Sequence, residues 1–162
     1  MTAAYRVVVE KEYLKFSAAH FIAYKGFREP MHGHNYQVSV TLAGALGPDG
    51  YVLDFGIVKA VTKAVCEELD ERILVPMRSD CLTVSHEGPS VVLVYEDGAR
   101  FLFPATDCVL LPIMHASAEE LAAYVLARLR AGLGAHVMRG LTDIEVGVSE
   151  APGQAAYCRA EL

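Results

Sequence analysis

The stretch that most constrains the fold begins at His32, because a run of strictly alternating residues follows it. From Tyr36 to Leu42 apolar and polar side chains alternate, which is the pattern of a strand with one buried face. Extended backwards, the same parity places His32 and His34 on the face that carries Tyr36. The sequence therefore predicts a sheet with one buried face and two imidazoles near the end of one strand.

A third histidine makes this strand end a candidate metal site. Three of the six histidines, His20, His32 and His34, lie within fifteen residues of one another. Two imidazoles in phase on one strand and a third at the end of a neighbouring strand can occupy three corners of a tetrahedron. The fourth corner then stays open for water or substrate, as in a catalytic zinc site. The alternative is three ordinary polar residues at strand ends, and their clustering favours metal.

Periodicity and capping signals predict an α+β chain. The strands are predicted at residues 5–16, 36–43, 143–149 and 155–161, and the helices at residues 54–70 and 117–132. Asp54 stands where the cap of the first helix belongs, and Ser117 with Glu120 has the form of a capping box. The order β-β-α-α-β-β predicts a four-stranded antiparallel sheet with two helices on one face.

Two further segments connect these elements. The turn cluster of residues 44–50 is predicted to close a hairpin between the first two strands. Residues 76–112, between the helices, are predicted to form a β-hairpin insertion, because Asp97-Gly98 separates two apolar runs. Residues 82–86 could add a third strand to it. We expect all 162 residues to form one domain.

Composition excludes several classes of function. The net charge of −6 and the pI near 5.5 argue against nucleic-acid binding. No apolar run approaches the roughly 20 residues of a membrane helix, and no secretory signal precedes the first strand. The four cysteines contain no C-x-x-C pair, which indicates free thiols. These features predict a soluble domain in the reducing cytoplasm.

Four motifs together resemble one known family. They are F-S-A-A-H at 16–20, H-G-H-N-Y at 32–36, the Leu69-Asp70 end of the first helix, and Glu150. At these distances they resemble the 6-pyruvoyltetrahydropterin synthase and 6-carboxytetrahydropterin synthase family over almost the whole chain, except the insertion. The resemblance implies the tunnelling fold (T-fold), in which subunits form a ring and two rings stack. A homohexamer, as a dimer of trimers, is the expected assembly.

The resemblance also implies which residues form the active site. Zinc is expected on His20, His32 and His34, in active sites that lie between subunits. The pterin substrate is expected to be anchored by Glu150. A carboxylate suits this role because the pterin N3–H and 2-amino group form a two-donor edge that it can accept bidentately.

Two departures from the family pattern concern catalysis. Relatives that eliminate triphosphate carry a cysteine shortly before H-G-H, but here Glu29 stands three residues before His32. This resembles the branch in which a glutamate replaces the cysteine and the side chain of 7,8-dihydroneopterin triphosphate is cleaved to give 6-hydroxymethyl-7,8-dihydropterin. The Asp-His of the family is Asp70-Glu71 here. His115 is the candidate to compensate for the missing histidine, and Glu71 is otherwise a solvated residue at a helix end.

Some candidate residues and functions have two interpretations. Glu119 matches a family glutamate, and Ser117 is a candidate ligand contact two residues before it. An acidic residue in the first helical turn and a helix cap also explain these two positions. Glu29 is otherwise a charged loop residue beside Arg28. The alternative functions are 6-pyruvoyl- or 6-carboxy-tetrahydropterin synthase, the latter in queuosine biosynthesis, and a non-catalytic pterin- or metal-binding protein.

Overall fold

The strands and helices follow the predicted order, with additional short strands. The structure is a computed structural model that describes residues 4–162. Its α-helices are α1 (Phe55–Leu69) and α2 (Ala118–Val137), and residues Ala105–Asp107 form a short 3₁₀ helix. Its strands are β1 (Tyr5–His20), β2 (Ala23–Tyr24), β3 (Phe27–Arg28), β4 (His32–Gly44), β5 (Arg72–Pro76), β6 (Leu82–Glu87), β7 (Ser90–Tyr95), β8 (Arg100–Pro104), β9 (Cys108–Leu111), β10 (Leu141–Ala151) and β11 (Gln154–Glu161).

The main sheet has six strands, so the prediction of four was wrong in number. Its order is β11-β10-β4-β1-β5-β9. The four predicted strands are adjacent and antiparallel, and β5 and β9 extend the sheet in parallel. Strand β9 lies inside the predicted insertion of residues 76–112 but belongs to the main sheet, so the insertion is shorter than predicted. The two added strands carry continuous apolar runs at 73–75 and 109–111. Residues 74–76 of β5 are all buried, and a parallel strand buried on both faces lacks the alternation on which the prediction relied. The apolar run of β9 does not alternate either, although Leu110 at this sheet edge is exposed.

The insertion between the helices forms a separate three-stranded sheet, β6-β7-β8. The Asp97-Gly98 turn joins β7 to β8, with Gly98 at a φ of +88°, and β6 completes an antiparallel meander. The predicted hairpin therefore exists and the third strand is present. The turn at residues 44–50 leads from β4 into α1, so its assignment to the β1–β4 hairpin was wrong. Residues 21–31 make that connection.

Both helices pack on one face of the main sheet, as predicted. The carboxylate of Asp54 caps α1 by accepting a hydrogen bond from the Gly56 N–H at 2.6 Å. Leu69 of α1 and Leu121 of α2 belong to the same buried core as Tyr36 and Val146 of the sheet. This single core explains why the alternating face of β4 is fully buried. Within residues 4–162 neither helix is long and apolar enough to cross a membrane.

Candidate functional site

The three predicted histidines meet at the end of the β1–β4 pair. His20 lies directly opposite His32 in the antiparallel register, and Ala18 lies opposite His34. Cross-strand neighbours on one face of a sheet are in contact, and the ring centroids of the three imidazoles are 4.6–5.1 Å apart. One nitrogen from each ring lies within 4.8 Å of the other two. These residues could together hold a metal ion.

The hydrogen bonds of two of these rings favour metal binding. His20 Nδ1 lies 2.6 Å from the carbonyl oxygen of Ala116, and His32 Nδ1 lies 2.9 Å from that of Pro30. A carbonyl oxygen only accepts, so each Nδ1 carries the hydrogen and each Nε2 keeps its lone pair. Backbone carbonyls are the usual outer partners of metal-bound histidines. His20 Nε2 is buried without a hydrogen-bond partner, as expected of a ligand atom.

The pKa of His20 is also shifted in the direction that favours metal binding. The side chain is 2% exposed, and burial is the main cause that lowers its pKa, with His32 and His34 adding to the effect. A lowered pKa keeps the imidazole neutral near pH 7, which is the form that binds metal. The donor set and the unpartnered nitrogen therefore fit a zinc ion.

A cavity of about 380 Å³ opens beside the histidines. It is lined by His20, Ile22, Glu29, His32, Ser117, Ala118, Glu119, Glu150, Gln154, Ala155 and Ala156. All the predicted substrate-binding residues and Glu29 therefore border one space. The volume falls within the usual range for a small-molecule site.

The Glu29 side chain is fixed by a single neighbour. Its Oε2 accepts a hydrogen bond from the Ile22 N–H at 2.9 Å, and its own N–H donates to the Ile22 carbonyl oxygen at 2.9 Å. This reciprocal pair closes the loop between β1 and β4 and holds the carboxylate at the cavity wall. Nothing in the sequence pattern indicates a contribution from Ile22, because it acts through its backbone.

Glu150 reaches the cavity from an irregularity in β10. The pairing of β10 with β11 shifts register between Ser149 and Ala151, and Glu150 is the residue at the shift. β-Bulges of this kind change the direction in which a side chain points. Glu150 is therefore positioned at the cavity that the loop with Glu29 also borders.

Tyr36 is a residue that sequence reasoning assigned only to the core. Its ring stacks on Phe16 at 4.7 Å and lies edge-on to His20 at 5.8 Å, while its buried hydroxyl has no hydrogen-bond partner. Burial is the main cause that raises the Tyr36 pKa, and the Glu150 and Glu29 carboxylates add to it. The phenol therefore stays protonated beside both carboxylates. The sequence did contain a signal for the location of Tyr36 near the site, because Tyr36 shares a strand face with His32 and His34.

The other predicted catalytic residues do not line this cavity in a single chain. Asp70 ends α1 and accepts a hydrogen bond from the Ser17 N–H at 2.7 Å. Glu71 has a φ of +56°, a conformation rare outside glycine, and lines a second cavity with His34. His115 donates its N–H to Glu120 at 3.1 Å and is not among the residues around the first cavity.

No described residue that lines the first cavity is a cysteine. Cys66 belongs to the core between the helices and the sheet, and its burial raises its pKa to about 12. A thiol of that pKa is not a nucleophile at neutral pH. Among the described residues that line this cavity, the acid and base groups are therefore the carboxylates of Glu29, Glu119 and Glu150 and the imidazoles of His20 and His32.

Ser117 lies at the cavity, but its observed contact is with the helix. Its hydroxyl accepts a hydrogen bond from the Glu120 N–H at 3.3 Å, which is the N-terminal cap of α2. We expect Ser117→Ala to lower the free energy of unfolding by about 1 kcal/mol, as measured by denaturant unfolding. Ser117→Asn, which retains a capping oxygen, is the control. Unchanged stability together with a large rise in KM would instead make Ser117 a substrate ligand.

Comparison with known proteins identifies relatives along almost the whole chain. The sequence profile described as 6-pyruvoyl tetrahydropterin synthase matches residues 9–161. The crystal structure of 6-pyruvoyl tetrahydropterin synthase from Plasmodium vivax is 40% identical, covers 99% of both chains and superposes with a TM-score of 0.96. Two further structures of the P. vivax protein carry alanine or cysteine in place of a catalytic glutamate.

Archaeal relatives carry names for two different reactions. A protein of Methanocaldococcus jannaschii, provisionally named 6-carboxy-5,6,7,8-tetrahydropterin synthase, is 32% identical over 92% of this chain and 91% of its own. A protein of Pyrococcus furiosus named dihydroneopterin monophosphate aldolase is 39% identical over 59 residues, which cover 36% of this chain and 50% of its own. The α+β fold described above is the fold of the P. vivax relative.

Proposed function

We propose, on the premise that this chain belongs to the 6-pyruvoyl tetrahydropterin synthase family, that it is a zinc-dependent lyase. Its substrate is 7,8-dihydroneopterin triphosphate and its product is 6-hydroxymethyl-7,8-dihydropterin. His20, His32 and His34 hold the zinc, Glu29 is the general base and acid, and Glu150 binds the pterin ring.

The observation that carries this proposal is the placement of Glu29. Its carboxylate lines the same cavity as His20, His32 and Glu150, in the loop where relatives of the cysteine type carry their catalytic residue. The P. vivax protein, 40% identical, has a catalytic glutamate. These facts support a family member in which a carboxylate performs the proton transfers.

The residues that line the cavity suggest one orientation for the substrate. Glu150 is a half-buried carboxylate at one wall, suited to accept hydrogen bonds from the two-donor edge of the pterin. Glu29, His20 and His32 line the same cavity, and in this orientation they would contact the side chain of the pterin. Glu119 and Ser117, at the start of α2, border the same space and offer further polar contacts.

Cleavage of the side chain between its two hydroxyl-bearing carbons requires two proton transfers. Glu29 takes the proton of the outer hydroxyl, and the electrons of the broken bond pass to the pterin ring system. The protonated Glu29 then returns a proton to the inner carbon, which becomes the hydroxymethyl group, and glycolaldehyde triphosphate leaves. A zinc ion on the histidines would polarise the side-chain hydroxyls and lower their pKa. Proton transfer by a positioned carboxylate contributes about 10²–10⁴-fold to rate.

A second candidate is 6-carboxy-tetrahydropterin synthase, because the M. jannaschii relative carries that name. The P. furiosus relative, named an aldolase, favours carbon–carbon cleavage instead. The absence of cysteine around the cavity among residues 4–162 weighs for cleavage. A non-catalytic pterin-binding protein would share the zinc and Glu150 but form no product.

Incubation of the purified protein with 7,8-dihydroneopterin triphosphate, followed by mass spectrometry of the pterins, tests the proposal. We expect 6-hydroxymethyl-7,8-dihydropterin. A carboxy-substituted pterin as the main product would support the second candidate. A pyruvoyl-substituted pterin would show a pyruvoyl synthase reaction and would contradict the proposed cleavage. Recovery of unchanged substrate from the zinc-loaded protein would support the non-catalytic one.

We also propose that the chain assembles into a hexamer, as a dimer of trimers. The outer strands of the main sheet are β11 and β9, and an exposed sheet edge favours pairing with another chain. Asp70 and Glu71 do not line the first cavity of their own chain, and in the proposed hexamer a second subunit would bring them to the cavity of its neighbour. Light scattering at micromolar concentration should give six times the mass of one chain, whereas a monomer would contradict this prediction.

A further inference from the structure

The loop that carries Glu29 is a small hairpin of its own. Strands β2 and β3 pair within it, and Gly26, at a φ of +83°, makes the turn between them. Glu29 is held by Ile22 of the same loop. The direction of the carboxylate therefore depends on where the whole hairpin lies relative to the histidines.

The insertion sheet holds this hairpin by two hydrogen bonds from consecutive residues. The Tyr95 hydroxyl donates to the Tyr24 carbonyl oxygen at 2.9 Å, and Glu96 Oε1 accepts from the Gly26 N–H at 2.6 Å. The same Glu96 oxygen lies 3.0 Å from the Tyr95 hydroxyl. The single hydrogen of this hydroxyl is within reach of both acceptors, the Tyr24 carbonyl oxygen and the Glu96 carboxylate, so the two contacts form one connected group. The hairpin atoms in these two hydrogen bonds, the Tyr24 carbonyl oxygen and the Gly26 N–H, belong to the backbone. The hydrogen bonds therefore fix the position of the hairpin backbone and not of one side chain.

Apolar packing supports the hydrogen bonds. Phe21 and Ala23 of the loop belong to one buried cluster with Leu93 and Tyr95 of the insertion sheet. The guanidinium of Arg28, the residue before Glu29, lies 5.0 Å from the centre of the Phe101 ring, within the range of a cation–π contact. The loop thus rests on the insertion along its length.

We propose that Tyr95 and Glu96 are positioning residues for Glu29, and that the insertion sheet serves catalysis by fixing the Glu29 loop. Neither residue lines the cavity, so each acts through the hairpin and not on the substrate. This inference rests on the proposed function of Glu29. Misplacement of a reacting group by about 1 Å can cost on the order of 100-fold in rate. Hydrogen bonds that fix the position of the hairpin can therefore affect kcat.

The test uses Tyr95→Phe and Glu96→Ala in the full-length protein. We expect kcat for 6-hydroxymethyl-7,8-dihydropterin formation to fall on the order of 10-fold, with KM and zinc content within about twofold of wild type. Glu96→Gln keeps an acceptor oxygen and should restore most of kcat. Hydrogen exchange followed by mass spectrometry should show faster exchange of the peptide that spans residues 21–31.

Two matched variants control for general destabilisation. Glu87→Ala removes an ion pair with Arg100 inside the insertion sheet, and Tyr124→Phe removes a hydroxyl hydrogen-bonded to Arg128 at 2.8 Å. Neither should change kcat or the exchange of residues 21–31.

The outcomes separate this inference from the proposed function. If kcat of Tyr95→Phe and Glu96→Ala stays within about twofold of wild type, or falls no more than in the controls, the positioning role is wrong. If Glu29→Gln itself turns over at the wild-type rate, the proposed function fails first. A loss in Glu29→Gln without a loss in Tyr95→Phe overturns only the inference about the insertion.

Discussion

Replacement of Glu29 by glutamine should abolish most of the turnover while the site stays assembled. The glutamine side chain has nearly the shape of the native one, and its amide oxygen can still accept the Ile22 N–H bond, but it cannot take or return a proton. Because general acid–base catalysis contributes about 10²–10⁴-fold, we expect kcat to fall by roughly that factor. Zinc content and pterin affinity should stay near the wild-type values, since neither depends on the charge of this loop residue.

The control is Glu12→Gln, a change of the same chemistry at an exposed position of β1. It should have full activity. Wild-type turnover by Glu29→Gln would remove Glu29 from the mechanism. A complementary variant, Glu29→Cys, should move the product toward pyruvoyl- or carboxy-pterin if the identity of this one residue selects the reaction.

Removal of two imidazoles should empty the metal site. The His32→Ala, His34→Ala double variant leaves His20 as a single ligand, and one histidine cannot hold zinc against chelation or dilution. We expect the zinc content to fall from one per chain to none, by metal analysis of the purified protein. The change should cost little stability from packing, because both residues lie nearer the surface than His20.

His86→Ala is the matched control, because His86 is an exposed histidine on β6. It should retain one zinc per chain. Full zinc retention in the double variant would show that the histidine cluster is not the metal site.

The main strands and the histidine cluster could be predicted because the responsible signals are local. The alternation after Tyr36 gives the face of β4, and its parity extends to His34. To predict the cluster, it was then enough to place His20 at the end of the neighbouring strand. The register, with His20 opposite His32, confirms this placement. The proposed role of Glu29, in contrast, came from family resemblance, since a loop glutamate beside Arg28 has no sequence pattern of its own.

There are physical reasons why two features could not be predicted: the added strands β5 and β9, and the hydrogen bonds that hold the Glu29 loop. Short parallel strands such as β5 and β9 pair with residues far along the chain, and their apolar runs do not alternate. The contacts of Tyr95 and Glu96 reach the backbone atoms of Tyr24 and Gly26. Backbone groups are the same at every position, so the sequence of the loop contains no trace of these partners.

A zinc titration of the metal-depleted protein, with the pterin product identified by mass, tests the central claim most directly. We expect the rate of 6-hydroxymethyl-7,8-dihydropterin formation to rise in proportion to bound zinc and to level off at one zinc per chain. The Glu29→Gln variant should bind the same amount of zinc and form almost no product. Full-rate formation of this product without zinc, or saturation with zinc that yields no cleaved pterin, would contradict the assignment of the histidines and Glu29 to one catalytic site.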